Sequence, residues 1–162
     1  MIGEARIHVF IVEDDEIYAM MLDYILSKDS IYKFSSFNSG EECLENLWQN
    51  PDAVILDYEL PGINGYQVLQ EIKKRDPEIH VLMLSSKKNP ELVERLLEAG
   101  ADDYLLKQDH PEKQITEKIE LLLNTDENTA SLKTKAKQFK RFIYVLLAIS
   151  IGVVSAMFFK LL

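Results

Sequence analysis

The sequence predicts an α/β fold in which a doubly wound, five-stranded parallel sheet is covered by helices on both faces. Short apolar runs alternate with stretches of helical periodicity, five of each, and turn-forming pairs such as Asn50-Pro51 and Asn89-Pro90 separate them. Right-handed crossovers between parallel strands place helices over both faces of such a sheet. The pattern does not fix the strand order, for which 2-1-3-4-5 is one of two common choices.

Each predicted element has its own pattern. Four strands are continuous apolar runs, whereas the second alternates and is weaker. In chain order the strands are Ile7–Val12, Tyr32–Phe37, Ala53–Leu56, Val81–Leu84 and Tyr104–Leu106. The segments of helical period are residues 16–27, 40–49, 65–75, 90–99 and 111–124.

The apolar stripe of the first helix comprises Ile17, Met20, Met21, Tyr24 and Ile25. That of the second comprises Cys43, Leu44, Leu47 and Trp48. Such stripes face the core, so we expect them to be buried.

Charge is unevenly distributed along the 162 residues. Residues 1–124 hold 12 Lys/Arg and 25 Asp/Glu, whereas residues 125–162 hold six and two. The acidic body repels nucleic-acid phosphates, so we expect no nucleic-acid binding by this domain.

Cysteine and histidine usage excludes two classes of site. Cys43 is the only cysteine, so neither an intrachain disulfide nor a cysteine metal cage forms, and a reducing compartment is expected. The three histidines match no zinc-binding spacing. The first residues lack a basic region followed by an apolar run, so no secretory signal peptide is expected.

The C-terminal part predicts a membrane anchor. A polar, basic linker over residues 125–141 precedes 18 uncharged residues, 142–159. A helix of that length spans about 27 Å, close to the thickness of the hydrocarbon core. A buried core helix is the alternative, but the segment is apolar on all sides and the five-stranded domain already has its helices.

Basic residues predict how this helix is oriented. Five lie just before the apolar span and one lies after it, so we expect a single-pass protein of the cell membrane with its N-terminal domain in the cytoplasm. Ala148, Gly152 and Ala156 recur every four residues, which predicts a weak homodimer through the transmembrane helix. Chance spacing explains this pattern about as well.

Polar side chains stand at the carboxyl ends of four predicted strands. In chain order they are Glu13, Asp14 and Asp15, then Asp57, Ser85 and Lys107. Ligands of an open parallel sheet bind outside these ends, so we expect the groups to converge.

The residue types at this edge are those of a phosphoryl-transfer site. Clustered carboxylates repel one another, and their pKa values rise unless a cation compensates them. Mg2+ suits oxygen ligands and takes one or two carboxylates plus a phosphate oxygen. Lys107 can hold a phosphoryl oxygen and the Ser85 hydroxyl can donate to another. Asp57 is then the nucleophile.

Each of these residues also has a simpler explanation when taken alone. Asp15 could cap the next helix, and Asp57 could stand in a turn. Ser85 could be a loop hydroxyl and Lys107 a surface lysine. Their shared position at the ends of four successive strands favours the site.

Over residues 6–124, four stretches resemble the CheY-like receiver domains of response regulators in two-component signalling. They are HVFIVEDDE, DAVILDYELPGINGYQVL, VLMLSS and EAGADDYLLK. The resemblance implies a flavodoxin-like sheet of order 2-1-3-4-5 in a receiver domain of residues 1–124. It also implies a sensor histidine kinase or phosphotransfer protein as the phosphoryl donor.

The resemblance assigns roles to the residues of these motifs. Asp57 is the implied phosphoacceptor, Ser85 the switch hydroxyl, Lys107 the phosphate-binding lysine and Tyr104 the switch aromatic. The implied Mg2+ ligands are Glu13, Asp14, Asp57 and the backbone carbonyl of Glu59. The domain would not be an enzyme beyond releasing its own phosphoryl group.

Two features depart from the family. Gln108 stands where proline usually follows the lysine, so a cis peptide bond is not expected there. Only 38 residues follow residue 124, so we expect the output to be either the receiver surface itself, around the fourth helix and fifth strand, or whatever the tail brings it near.

Two alternative functions share part of this residue pattern. A phosphatase of the haloacid-dehalogenase type also uses an aspartate nucleophile with Mg2+, but it requires a second aspartate two residues on, where this chain has Glu59. A degenerate receiver that only scaffolds partners would not need the complete set of acidic, hydroxyl and lysine groups.

Overall fold

The computed structural model describes residues 7–109, 111 and 114–123. The chain divides into two units between Leu122 and Leu123, and the first contains the whole sheet. The predicted linker, residues 125–141, and the predicted transmembrane helix, residues 142–159, lie outside the described residues. Among the helices that the structure does describe, none has the length and apolar character needed to cross a bilayer.

Five parallel strands form the sheet in the order β2-β1-β3-β4-β5, which confirms the predicted fold and order. They are β1 (Ile7–Val12), β2 (Tyr32–Phe37), β3 (Ala53–Asp57), β4 (His80–Ser85) and β5 (Asp103–Leu106). The chain reverses its direction of winding between β1 and β3. This arrangement puts the carboxyl ends of β1, β3, β4 and β5 side by side along one edge.

Helices follow the strands at the predicted places. They are α1 (Glu16–Ser27), α2 (Gly40–Asn46), α3 (Gly65–Arg75), α4 (Pro90–Glu98) and α5 (residues 114–123). Single 3-10 turns follow α2 at Leu47–Gln49 and β5 at Lys107–Asp109. All peptide bonds in the described part of the chain are trans, including the bond between Lys107 and Gln108.

Short polar side chains fix where the helices begin. Asp15 caps α1 by accepting from the backbone N–H groups of Ile17 and Tyr18. Asn64 and Gln67 form a reciprocal capping box at α3. These caps come directly after the loops that follow β1 and β3. They therefore also fix the loops that carry the acidic residues.

The core has two layers because alternate strand residues face opposite sides of the sheet. Phe10, Val12, Val54 and Leu56 pack with the buried residues of α2, α3 and α4. Val9, Ile11 and Ile55 alternate with them and are also buried. On that second side, α1 packs against β1 and β2.

The predicted buried face of α1 is wrong. Ile17, Met20 and Tyr24 are 76%, 61% and 66% exposed, whereas Leu22 and Leu26 are buried. The helix carries two overlapping apolar stripes that share Ile25, so periodicity alone does not choose between them. Packing against the sheet selects the stripe with the leucines.

The predicted burial of Trp48 is also wrong, since this side chain is 74% exposed. The α-helix ends at Asn46, and Trp48 stands in the 3-10 turn that follows. A 3-10 turn advances about 120° per residue instead of about 100°, which rotates the side chain away from the buried face.

Candidate functional site

Three carboxylates converge at the carboxyl edge of the sheet. Val12 pairs with Leu56, so Glu13 and Asp57, the residues that follow these two, lie next to each other. One oxygen of each of Glu13, Asp14 and Asp57 lies within 4.8 Å of the others. Glu13 and Asp57 are each only 2% exposed, whereas Asp14 is exposed. Asp15 is not part of this cluster, because its carboxylate caps α1.

Lys107 bridges the two buried carboxylates. Its Nζ lies 2.6 Å from Glu13 Oε2 and 3.0 Å from Asp57 Oδ2. The side chain is 17% exposed, so Lys107 is not an ordinary surface lysine. The same ammonium group lies 4.7 Å from the centroid of the Tyr18 ring, which packs against it as a cation–π partner.

Burial opposes ionisation of both buried carboxylates. It raises the pKa of Glu13 to about 7, although the hydrogen bond from Lys107 acts in the opposite direction. Burial likewise raises the pKa of Asp57, partly offset by the charge of Lys107. Burial lowers the pKa of Lys107, but its bond to Glu13 and the charge of Asp57 outweigh burial and raise it. The cluster therefore has more negative charge than one ammonium group compensates.

The donor set fits a hard divalent cation. Asp57 Oδ1 is buried without a partner at hydrogen-bonding geometry in the described part of the chain. A buried carboxylate oxygen without a donor is costly unless a cation approaches it. The three neighbouring carboxylates offer only oxygen ligands, one of them exposed, which suits Mg2+ with part of its water shell.

Ser85 and Tyr104 stand on the two neighbouring strands. Ser85 ends β4 and is fully buried, and its Oγ accepts a hydrogen bond from the Lys87 N–H at 3.0 Å. Tyr104 lies on β5 and is half-buried, and its hydroxyl donates to the backbone carbonyl of Lys87. The two residues predicted to switch together therefore contact the same loop residue.

The side chain of Glu59 contacts the loop that follows β4. Its carboxylate accepts from the Ser86 hydroxyl and pairs with Lys87 at 2.9 Å. The Ser86 bond, together with Lys87, holds the pKa of Glu59 below its usual range. The family resemblance implies a role only for its backbone carbonyl, as a metal ligand.

Gly65 lets the start of α3 approach the acidic strand end. A Cβ at this position would lie 2.1 Å from the backbone oxygen of Asp57 and 2.8 Å from Tyr58 Cα. Only glycine fits this close backbone contact, so Gly65 supports the position of Asp57. The sequence predicts a helix over residues 65–75, but its periodicity does not reveal this contact.

Comparisons with known proteins agree on one family. The family described as "Response regulator receiver domain" matches residues 9–120. Two-component response regulator ORR6 of Oryza sativa subsp. japonica is 33% identical over 115 residues, which cover 67% of each chain. A cyclic di-GMP phosphodiesterase of Thermotoga maritima is 36% identical over 104 residues, but these cover 61% of this chain and only 26% of that protein.

Solved structures show the same fold. The BeF3-activated DrrB receiver domain superposes with a TM-score of 0.67 at 27% identity, covering 74% of this chain and 98% of that one. The response regulator domain of Thermotoga maritima CheB gives a TM-score of 0.68, also at 27% identity, covering 74% and 97%.

Proposed function

The chain belongs to the response regulator receiver domain family, and from that premise we propose that Asp57 accepts a phosphoryl group that switches the receiver surface. Receiver domains of this family interact with histidine kinases or phosphotransfer proteins, so we propose one of these as the donor. The observation that carries the proposal is the contact of Lys107 Nζ with both Asp57 and Glu13 in a buried acidic cluster.

The transfer step uses the charges of this cluster. An Asp57 carboxylate oxygen forms a bond to phosphorus, and the bond between phosphorus and the donor nitrogen breaks, its electron pair staying with the nitrogen. Lys107 already contacts Asp57, so its ammonium group is placed to follow the negative charge of the phosphoryl oxygens. The Ser85 hydroxyl donates to one of those oxygens. Autodephosphorylation is the only catalytic activity that we propose.

Mg2+ is the proposed cofactor. Glu13, Asp14 and Asp57 would hold it together with the Glu59 backbone carbonyl, and it would supply positive charge for the approach of a second anion. Binding should also return the pKa values of the buried carboxylates toward their usual range, because a cation favours the ionised form.

The test is labelling with acetyl phosphate in the presence and absence of Mg2+. We expect an acid-stable, hydroxylamine-labile label that requires Mg2+ and is lost in Asp57→Asn. Asp52→Asn is the matched control, because Asp52 lies just before the opposite end of β3 and its carboxylate accepts from the His8 N–H. Undiminished labelling of Asp57→Asn would refute the assignment, and absence of label from the parent would favour the scaffold alternative.

The contacts of the Glu59 side chain disfavour the phosphatase alternative. In that mechanism the second acidic residue must act as acid or base beside the nucleophile. The Glu59 carboxylate instead pairs with Ser86 and Lys87.

For the rest of the chain, we propose a single-pass transmembrane anchor in the cell membrane, with the receiver on the cytoplasmic side. Its support is the sequence of residues 125–159, a basic stretch followed by an uncharged apolar span. Weak self-association through Gly152 is a further proposal. Gly152→Ile should reduce it in a bilayer association assay, and equal association of variant and parent would refute it.

A further inference from the structure

Two loop residues that follow Ser85 are held from three sides. Ser86 and Lys87 begin the β4–α4 loop, residues 86–89, at the carboxyl edge of the sheet. From the β3 side, the Glu59 carboxylate binds both the Ser86 hydroxyl and the Lys87 ammonium group. From β5, the Tyr104 hydroxyl donates to the Lys87 carbonyl.

The third contact comes from Gln108, in the 3-10 turn after β5. Its side-chain Nε2 donates to the backbone carbonyl of Ser86 at 3.2 Å. The neighbouring residue in this turn is Lys107, whose ammonium group binds Glu13 and Asp57. Gln108 therefore ties the turn that carries the lysine to the loop that follows the serine. A proline at this position has no side-chain donor and could not form this bond.

The loop in turn orients the Ser85 hydroxyl. Ser85 Oγ accepts a hydrogen bond from the Lys87 N–H at 3.0 Å, so the backbone at Lys87 determines which way the oxygen points. A serine oxygen that accepts from a backbone N–H still has its own hydrogen to donate. That hydrogen is the one that a phosphoryl oxygen on Asp57 would accept.

We propose that Gln108 is a positioning residue for phosphoryl binding: together with Glu59 it clamps Ser86 and so holds the Ser85 hydroxyl ready to donate. This inference rests on the proposed function of Asp57 and deepens it. Ser86 and Lys87 are exposed, so without the clamp the loop would sample other conformations. Apparent affinity for a phosphoryl group falls in proportion to the fraction of molecules in the competent conformation.

The decisive variant is Gln108→Met, which keeps the length of the side chain but removes the donor. Its matched control is Gln70→Met, because the Gln70 amide makes a similar exposed hydrogen bond, to the Tyr66 hydroxyl at 3.3 Å, on α3. Affinity for beryllofluoride with Mg2+ is measured on the full chain. The carbonyl carbon-13 shift of Ser86 and the urea midpoint of unfolding are recorded on the same samples.

We expect Gln108→Met to weaken beryllofluoride binding by about three- to tenfold, the range set by loss of one hydrogen bond. The Ser86 carbonyl shift should move and the urea midpoint should not, which separates positioning from a general loss of structure. Ser86→Ala removes the bond to Glu59 and should weaken binding similarly. The double variant should lose less binding free energy than the sum of the losses in the two single variants, because both substitutions act on one loop.

Unchanged or tighter binding by Gln108→Met would overturn the positioning role, as would an equal loss in Gln70→Met. If the parent binds beryllofluoride and only the Gln108 result fails, the phosphoacceptor proposal stands. If the parent does not bind beryllofluoride at all, both proposals fall together.

Discussion

Replacing Asp102 by Asn should destabilise the receiver. Asp102 lies at the edge of the sheet opposite to Asp57. Asp102 stands just before β5, where its Oδ2 accepts from Lys73 Nζ at 2.9 Å and from the Val81 N–H at 2.8 Å. Its Oδ1 lies 2.9 Å from His80 Nδ1. One carboxylate thus joins α3, β4 and the start of β5. Asn keeps the shape but carries no charge, so it imitates the protonated acid.

The pKa of Asp102 gives the size of the effect. Burial raises this pKa, but the hydrogen bonds from His80, the Val81 N–H and Lys73 outweigh burial and lower it from 3.8 to about 2. A shift of that size corresponds to about 2–3 kcal/mol of folding free energy for the ionised form. Because the folded-state pKa is depressed, this stabilisation is complete above the unfolded pKa of about 4 and is lost as the pH falls through about 2.

The measurement is urea unfolding of residues 1–124, followed by circular dichroism, at pH 7 and at pH 3. We expect Asp102→Asn to be less stable than the parent by about 2–3 kcal/mol at pH 7 and by about half of that at pH 3. Asp76→Asn is the control, since Asp76 is an exposed carboxylate at the same edge that, within the described part of the chain, accepts only from the Glu78 N–H. Equal stability at pH 7, or a deficit that does not shrink at pH 3, would refute the reasoning.

Two further predictions concern the acceptor loop and the tail. Gly65→Ala should lower the stability of the receiver by about 1–3 kcal/mol and slow labelling of Asp57, because the added methyl group meets backbone atoms that cannot move away. An unchanged urea midpoint would contradict the close contact. In alkaline carbonate, the full chain should remain in the membrane pellet while residues 1–124 stay in the supernatant. Recovery of the full chain in the supernatant would refute the membrane proposal.

Sequence patterns predicted the strands well because each strand is a short apolar run bounded by turn-forming residues. β1 and β2 have the predicted bounds, and β3, β4 and β5 are longer by one or two residues. The buried face of α1 could not be predicted, since two overlapping stripes have the same helical period and only the sheet selects one.

The positions of the candidate site residues also followed from topology, because strand ends meet at one edge of a parallel sheet. The contacts of Tyr18 and Gln108 did not. Tyr18 lies in the first turn of α1 and meets Lys107 only after the fold brings α1 next to the turn that follows β5. Gln108 meets Ser86 across two loops. Such contacts depend on side-chain direction, and no local pattern encodes them.

Aspartate residues at the two edges of the sheet have pKa values shifted in opposite directions. Asp102 has several hydrogen-bond donors, and its pKa falls to about 2. Burial raises the pKa of Asp57, and its Oδ1 has no partner at hydrogen-bonding geometry among the described residues. The first arrangement stabilises the fold by itself, whereas the second leaves a carboxylate that only an added cation or a covalent change can satisfy. Asp57→Asn should therefore cost little stability, whereas Asp102→Asn should cost much, which is the contrast expected if the proposed function lies at the edge where the fold leaves its charges uncompensated.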